Sequence, residues 1–337
     1  MPKLVIIIPT FLVIFILLLT LRIKSVFKDA LLKYRAIQLA SGIKNVSIER
    51  QLNYFDDFII ENEISEIIFT KEMASKWYAY RKEQNEATRY IRISWSIHFL
   101  NYLKSIGYDV YIPRLPKYAG SKQQSYIYTD EEIARYFKNI DSYSNSDPMM
   151  VLCLPVIFRI LYSCGTRIGE TLSIKVKDVD LAEGIIRLSN TKNEKVRNIV
   201  VGDDLRNLLN QYAYKCLYLK KDNDYFFAHK DNRRISEQSI YKYHRKALRD
   251  SNIKYIGNGL GPRLHDWRHT FAVTSLLNFE NAGCDINNVL PILSTYLGHT
   301  SIASTERYIK LVAHHFDEIV NKTKETTIYI RGDQNDN

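Results

Sequence analysis

Between residues 113 and 124 the sequence PRLPKYAGSKQQ loses the apolar periodicity found on either side of it. Prolines, a glycine, a serine, lysines and glutamines in one short run read as exposed linker, because nothing there can be buried by a regular element. The chain must therefore fold as two bodies, each with its own core. Its 337 residues suffice for that.

Upstream of the linker the pattern is helical. In RYIRISWSIHFLNYLKSIG, the residues Ile91, Trp95, Phe99 and Leu103 recur at four-residue spacing and predict one buried stripe, with Gly107 as the stop. Arg89, Arg92 and Lys104 fall elsewhere around that helix, where they are available to phosphates or simply solvated. Downstream, TDEE from Thr129 to Glu132 is a capping-box pattern, and Asp147-Pro148 is a cap followed by a first-turn proline. The apolar stretch VLCLPVIFRILYSCG then runs to Gly165. IIRLSN and VRNIVV flank the polar turn TKNEK and predict a β-hairpin carrying Lys192. Helices are expected at 203–220, 236–250, 265–278, 286–297 and 301–313. The fold class is mainly α with a small antiparallel β-sheet.

The first residues differ from all of this. Residues 4–20 carry no charge, are almost wholly apolar and are followed by Arg22, Lys24, Lys28, Lys33 and Arg35. This is slightly short for a spanning helix, and the basic flank would keep the remainder in the cytoplasm. A membrane anchor over 1–22 is the expectation, with an upstream start as the alternative. The four cysteines, Cys153, Cys164, Cys216 and Cys284, are scattered, which argues for reduced thiols rather than a disulfide framework or zinc knuckle.

Lys+Arg number 47 against 37 Asp+Glu, a net charge of +10 that suits a phosphate backbone but also an ordinary basic protein. Four segments sharpen the choice. GTRIGE holds Arg167, TKNEK holds Lys192, HDWRH holds His265 and Arg268, and LGHTSIASTERY holds His299 and Tyr308. Two guanidiniums, an ammonium, imidazoles and a phenol make a set for holding a phosphodiester while an oxygen attacks it. Taken alone, each has a plain explanation: a first-turn cation, a β-turn lysine, a helix-capping histidine, one of 24 tyrosines.

In order and at their spacing, LYSCGTRIGETLSIKVKDVDL, SNTKNEKVRNIVV, PRLHDWRHTFAVTSLL and LSTYLGHTSIASTERYIKL resemble the tyrosine recombinases, the phage integrase family of site-specific DNA recombinases. LPILSTYLGH further resembles the enzymes of bacterial mobile elements. The resemblance, which runs from about Ile23 to His315, implies a helical core-binding (SAM-like) domain over 23–111, a linker over 112–128 and an α+β catalytic domain over 129–315; residues 316–337 are expected to form a C-terminal extension or tail. It implies Tyr308 as nucleophile, forming a 3′-phosphotyrosyl bond, with Arg167 and Arg268 on the non-bridging oxygens. It also implies Lys192 as general acid (Lys195 if the hairpin register shifts), His265 accepting or relaying the tyrosine proton, and His299 donating to the phosphate. Glu170 resembles the acid that orients an active-site arginine or histidine, although a local salt bridge explains it almost as well. The implied partners are double-stranded DNA with paired recombination sites and three further copies in a homo-tetramer; no cofactor is implied, and accessory DNA-bending factors are not specified. DNA-associated action in the cytoplasm follows, with 4–20 as a candidate tether.

Three alternatives remain open on sequence alone. One is a DNA-binding regulator that no longer cuts, and another is a topoisomerase using the same chemistry. The third is a zinc hydrolase using His265 and His269, which are spaced i,i+4 on a helix. Asp266 in place of the usual glutamate, the adjacent Arg268 and the lack of an evident third ligand weigh against zinc.

Overall fold

The computed structural model describes residues 22–43, 47–80, 84–117, 125–144, 147–189, 196–255 and 261–299, together with Thr305, Tyr308 and Leu311. The apolar run 4–20 and both Lys192 and Lys195 lie outside the described residues. Among the described residues no helix is long and apolar enough to cross a membrane. Contacts divide the chain into two compact units, Met1–Lys122 and Gln123–Asn337.

The first unit is built from α1 (Lys28–Ala40), α2 (Ser47–Glu61), α3 (Lys71–Ala79) and α4 (Glu86–Ser105). Its core is strongly aromatic. Phe27, Phe55, Phe58, Phe69, Trp77, Trp95 and Phe99 are buried together, with Phe55 edge-on to Phe27, Trp77 and Phe99. Such edge-to-face pairs suit the ring quadrupole and fix relative helix rotation.

Two expectations for α4 are corrected here. Ile91 is 53% exposed, so the buried stripe runs through Trp95, Phe99 and Leu103 and leaves Ile91 outside. The inward place one residue on belongs to Arg92, which is 0% exposed and therefore not a surface cation. Its guanidinium lies 4.4 Å over the Trp77 ring and donates to the Trp77 carbonyl (2.6 Å), the Tyr80 carbonyl (2.9 Å) and Gln84 Oε1 (3.1 Å). The two carbonyls lie at the end of α3, where the helix dipole favours a cation, and the Trp77 carbonyl also accepts from the Tyr80 amide at 3.3 Å. Arg89 and Lys104 are exposed.

The second unit follows the sequence closely at its caps. Helix α5 (Asp130–Asp141) begins with Thr129 Oγ1 accepting from the Glu132 amide, while Glu132 Oε2 accepts from the Thr129 amide. Helix α6 (Pro148–Cys164) is capped by Asp147 and ends at Gly165 with φ 58°. A short helix α7 (Ile168–Thr171) leads into the antiparallel sheet β1 (Val179–Asp180), β2 (Ile185–Leu188) and β3 (Arg197–Val200), in the order β1-β2-β3. Leu188 pairs with Arg197 across the expected hairpin.

Helices α8 (Asp203–Cys216), α9 (Glu237–Asp250), α10 (Asp266–Asn281) and α11 (Ile286–Leu297) complete the unit. The first of these stops four residues before the expected 220, and α10 runs three residues beyond the expected 278. Of the region expected to be helical after 300, Thr305, Tyr308 and Leu311 are described and helical. Trp267 anchors the core, stacked on Tyr128 at 4.0 Å and edge-on to Tyr136. Cys153 and Cys164 are buried free thiols, as core filler would be.

Candidate active site

The first-arginine segment forms a tight corner. Gly165 is left-handed where it ends α6, and a Cβ on it would run into the Phe271 ring, so glycine is what fits there without strain. The chain then turns to present Arg167 at the N-cap of α7, the short helix that carries Glu170. Glu170 Oε2 accepts from the Arg167 amide at 3.0 Å and Oε1 accepts from Arg167 Nη1 at 2.7 Å.

Glu170 is 5% exposed and is shared. Arg197, the first residue of β3, reaches across and donates Nη1 to Oε1 (3.2 Å) and Nη2 to Oε2 (2.7 Å). Burial by itself would raise the Glu170 carboxyl. The Arg197 bonds and charge, then the Arg167 amide and guanidinium, outweigh burial and hold it below its ordinary value. The same Arg197 guanidinium packs on Gly298, where a Cβ would lie 3.0 Å from Nη1. One side chain thus ties the hairpin, the Arg167 corner and the LGH turn together. Sequence reasoning missed Arg197. The available signal was strand alternation, which puts it on the same face as buried Ile199.

Helix α10 supplies the next group. Asp266, wholly buried, accepts from the Arg263 amide (2.7 Å) and from the Arg263 guanidinium at 2.9 and 3.1 Å, which fixes the helix start. Arg268 is buried and donates Nη1 to the Gly165 carbonyl (2.7 Å) and Nη2 to the Leu297 carbonyl (2.6 Å). These are acceptors at the ends of α6 and α11, so the guanidinium clamps two helix C-termini. Two of its five donors are used in this way. Burial pushes Arg268 down to about 10, with Arg167 adding to the effect and the Tyr308 phenol and Glu170 opposing it.

His265 stands at the cap of α10, open to the cleft on one side while its ring packs edge-to-face with His269 on the other. Desolvation by its neighbours, then His269, Arg268 and Arg167, hold it below its ordinary value, with Asp266 opposing, so it is neutral near pH 7. With Arg167, Glu170, Arg234, Glu237 and Tyr241 it lines a cleft of about 450 Å³. Arg234, also missed in sequence, braces this wall through the Gly169 and Leu172 carbonyls.

Tyr308 is 1% exposed, packed with Ala272, Val273, Leu276, Leu293 and Leu297 between α10 and α11. Its phenol oxygen lies 3.2 Å from His269 Nδ1. The His299 ring lies nearly parallel to it at 6.1 Å, and His299 Nδ1 is 2.7 Å from Thr305 Oγ1 on the tyrosine helix. The structure therefore brings Arg167, Glu170, His265, Arg268, His299 and Tyr308 into one region of the second unit. The exposed Arg89 and Lys104 belong to the first unit.

Residues 127–315 match the family described as the phage integrase family, more than half of the chain. The chain belongs to the phage integrase family. It is a site-specific tyrosine recombinase, an enzyme that cuts and rejoins DNA. It is 28% identical over 298 residues to a putative integrase/recombinase, y4rB, of Sinorhizobium fredii, covering 85% of this chain and 93% of that one. To the tyrosine recombinase XerC of Thermodesulfovibrio yellowstonii it is 26% identical over 302 residues, with the same coverages. Among solved structures it is similar in fold to XerH recombinase in a post-cleavage complex with a difH substrate, with TM-score 0.62, 19% identity and 86% and 82% of the two chains covered. A lambda integrase dimer bound to a COC′ core site gives TM-score 0.61 at 18% identity, covering 83% and 76%. For the recombinase the zinc alternative loses its geometry. Asp266 is clamped by Arg263, His269 Nδ1 faces the phenol, and among the described residues no three His, Cys, Asp or Glu side chains cluster to hold a metal.

Proposed function

We propose that Tyr308 is the nucleophile of this recombinase. Its oxygen attacks the scissile phosphorus as the bond to the 5′ oxygen breaks, leaving a 3′-phosphotyrosine and a 5′ hydroxyl. Reversal onto a new strand needs no ATP, because the covalent link keeps the bond energy. Arg167, half-buried at the cleft and fixed by Glu170, and the remaining donors of Arg268 hold the non-bridging oxygens. Planar guanidiniums suit that task because they stay charged as the phosphate gains negative charge. Lys192, or Lys195 if the hairpin register shifts, protonates the leaving oxygen. His265 relays protons at the cleft and His299 donates to the phosphate.

The observation that carries this reading is the seating of Tyr308 against α10. Its phenol is within hydrogen-bond reach of that helix, at 3.2 Å from His269 Nδ1, one residue on from Arg268. Residues 23–111 serve as the core-binding domain, where exposed Arg89 and Lys104 meet phosphates, and residues 129–315 are catalytic. The working form is a homo-tetramer on two paired sites of a mobile element, to which residues 316–337 contribute. A lambda integrase of similar fold has been crystallised as a tetramer on a Holliday junction, which supports this by likeness. The enzyme acts on DNA in the cytoplasm, with residues 4–20 as a tether to the inner membrane face; membrane fractionation of the full chain checks that.

On a nicked suicide substrate the full chain should form a covalent adduct, and Tyr308→Phe should form none while still binding DNA. An adduct with Tyr308→Phe removes the assignment. Strand exchange between paired sites separates a recombinase from a relaxing topoisomerase and from a regulator that only binds.

A further inference from the structure

The histidine that touches the attacking oxygen is His269, not the first histidine of HDWRH. His269 is 3% exposed, and its Nδ1 is 3.2 Å from the Tyr308 oxygen. On its other side, Nε2 faces Asp266 Oδ1 at 3.8 Å, and that buried carboxylate is held in place by Arg263. His265 presents an edge to the His269 ring, with centroids 4.8 Å apart at 87°. Carboxylate, imidazole and hydroxyl thus follow one another from Asp266 through His269 to Tyr308. This is the order in which an acid orients a base and the base serves a nucleophile. A carboxylate beside Nε2 favours the proton on that nitrogen and leaves Nδ1 as the acceptor.

We propose that His269 is the catalytic residue that takes the proton of Tyr308 during attack, with Asp266 as the positioning residue that sets its tautomer. The inference rests on Tyr308 being the nucleophile. As the oxygen–phosphorus bond forms, the phenol proton moves to His269 Nδ1. The bond to the 5′ oxygen breaks, and that oxygen takes its proton from the hairpin lysine. On religation the 5′ hydroxyl gives its proton back to the lysine, and the departing phenolate recovers its own from His269. A phenol has an ordinary pKa near ~10 and holds its proton at neutral pH, so an acceptor at this position removes a large part of the barrier.

The test uses the full chain on the suicide substrate, reading adduct formation and DNA binding separately. Asparagine places its amide where Nδ1 lies, so His269→Asn keeps a polar partner for the phenol but cannot take a proton. It should bind DNA normally and cleave roughly 100- to 10,000-fold more slowly, the usual contribution of a general base. Installing a fluorinated, more acidic tyrosine at 308 should restore much of the lost rate in His269→Asn and change the unaltered chain little. A purely structural role would not respond to phenol acidity. Wild-type cleavage by His269→Asn overturns the proposal, and so does a slow variant that the fluorinated phenol fails to restore. If His269→Asn does not fold, His269→Gln is read by the same criteria. If neither variant folds, the unaltered background decides: a large acceleration there by the fluorinated phenol means that no base is at work. An adduct formed by Tyr308→Phe would instead defeat the nucleophile assignment itself, an outcome distinct from all of these.

Discussion

Arg197→Ala is the substitution whose consequences the structure fixes most tightly. Glu170 accepts four hydrogen bonds: two from the Arg197 guanidinium, one from the Arg167 guanidinium and one from the Arg167 amide. The substitution removes both Arg197 bonds and leaves a 5% exposed carboxylate with half its partners. Breaking one side of a buried pair costs about 3–5 kcal/mol. Arg167 remains, and the space left by the guanidinium can admit water, so the lower end applies, about 3 kcal/mol. For a unit of this size that lowers Tm by roughly 6–12 °C. Arg197→Lys keeps the charge but loses the bidentate fork, and should lie between wild type and Ala.

The acid limb should change as well. Because the Glu170 carboxyl is held below its ordinary value of 4.5 in the folded protein, its contribution is complete above that pH and is lost as pH falls through the lower, folded value. Arg197→Ala removes most of what holds it low and should flatten that loss. Since Glu170 positions Arg167, adduct formation should also slow by about tenfold, equivalent to ~1.4 kcal/mol of transition-state stabilisation. The assays are denaturant unfolding at several pH values and single-turnover adduct formation. A double-mutant cycle with Glu170→Gln showing no coupling, or Arg197→Ala with unchanged stability, would refute the reasoning.

Arg92→Ala should destabilise the first unit by roughly 3–5 kcal/mol by removing the charged donors to the Trp77 and Tyr80 carbonyls and the cation–π contact on Trp77, whereas Arg89→Ala should leave thermal unfolding unchanged and weaken DNA binding in a salt-dependent way. Gly165→Ala combines a left-handed residue with a clash on Phe271 and should cost roughly 2–5 kcal/mol by denaturant unfolding. His244, buried on Tyr136 at 2.8 Å, is pushed down to about 3 by burial and then by Arg245, so it stays neutral in the fold while the unfolded chain takes up a proton below 6.5. Stability should therefore fall by about 1.4 kcal/mol per pH unit from near 6.5 toward 3, and His244→Gln should remove that slope.

Much of this protein is written locally. The Thr129 and Asp147 caps, the Gly165 and Gly298 stops, the hairpin strands and the helical segments follow from backbone chemistry within a few residues, and short range is what sequence patterns encode. The four chemical segments could be recognised for the same reason, since each is contiguous. What sequence could not decide is which side of an element faces which neighbour. Arg92, by pattern a surface cation, is buried because the end of α3 offers a guanidinium two carbonyls and the Trp77 ring, with Gln84 Oε1 as a third acceptor. Arg197 gained its role from Glu170, 27 residues away in the chain, and Arg268 from two helix ends 103 and 29 residues away. The assignment of a histidine to Tyr308 likewise depended on how α10 is rotated, which one helical turn of sequence leaves open between His265 and His269. Spacing alone named the groups; long-range packing chose their partners, because a desolvated charge takes whichever acceptors the fold brings to it.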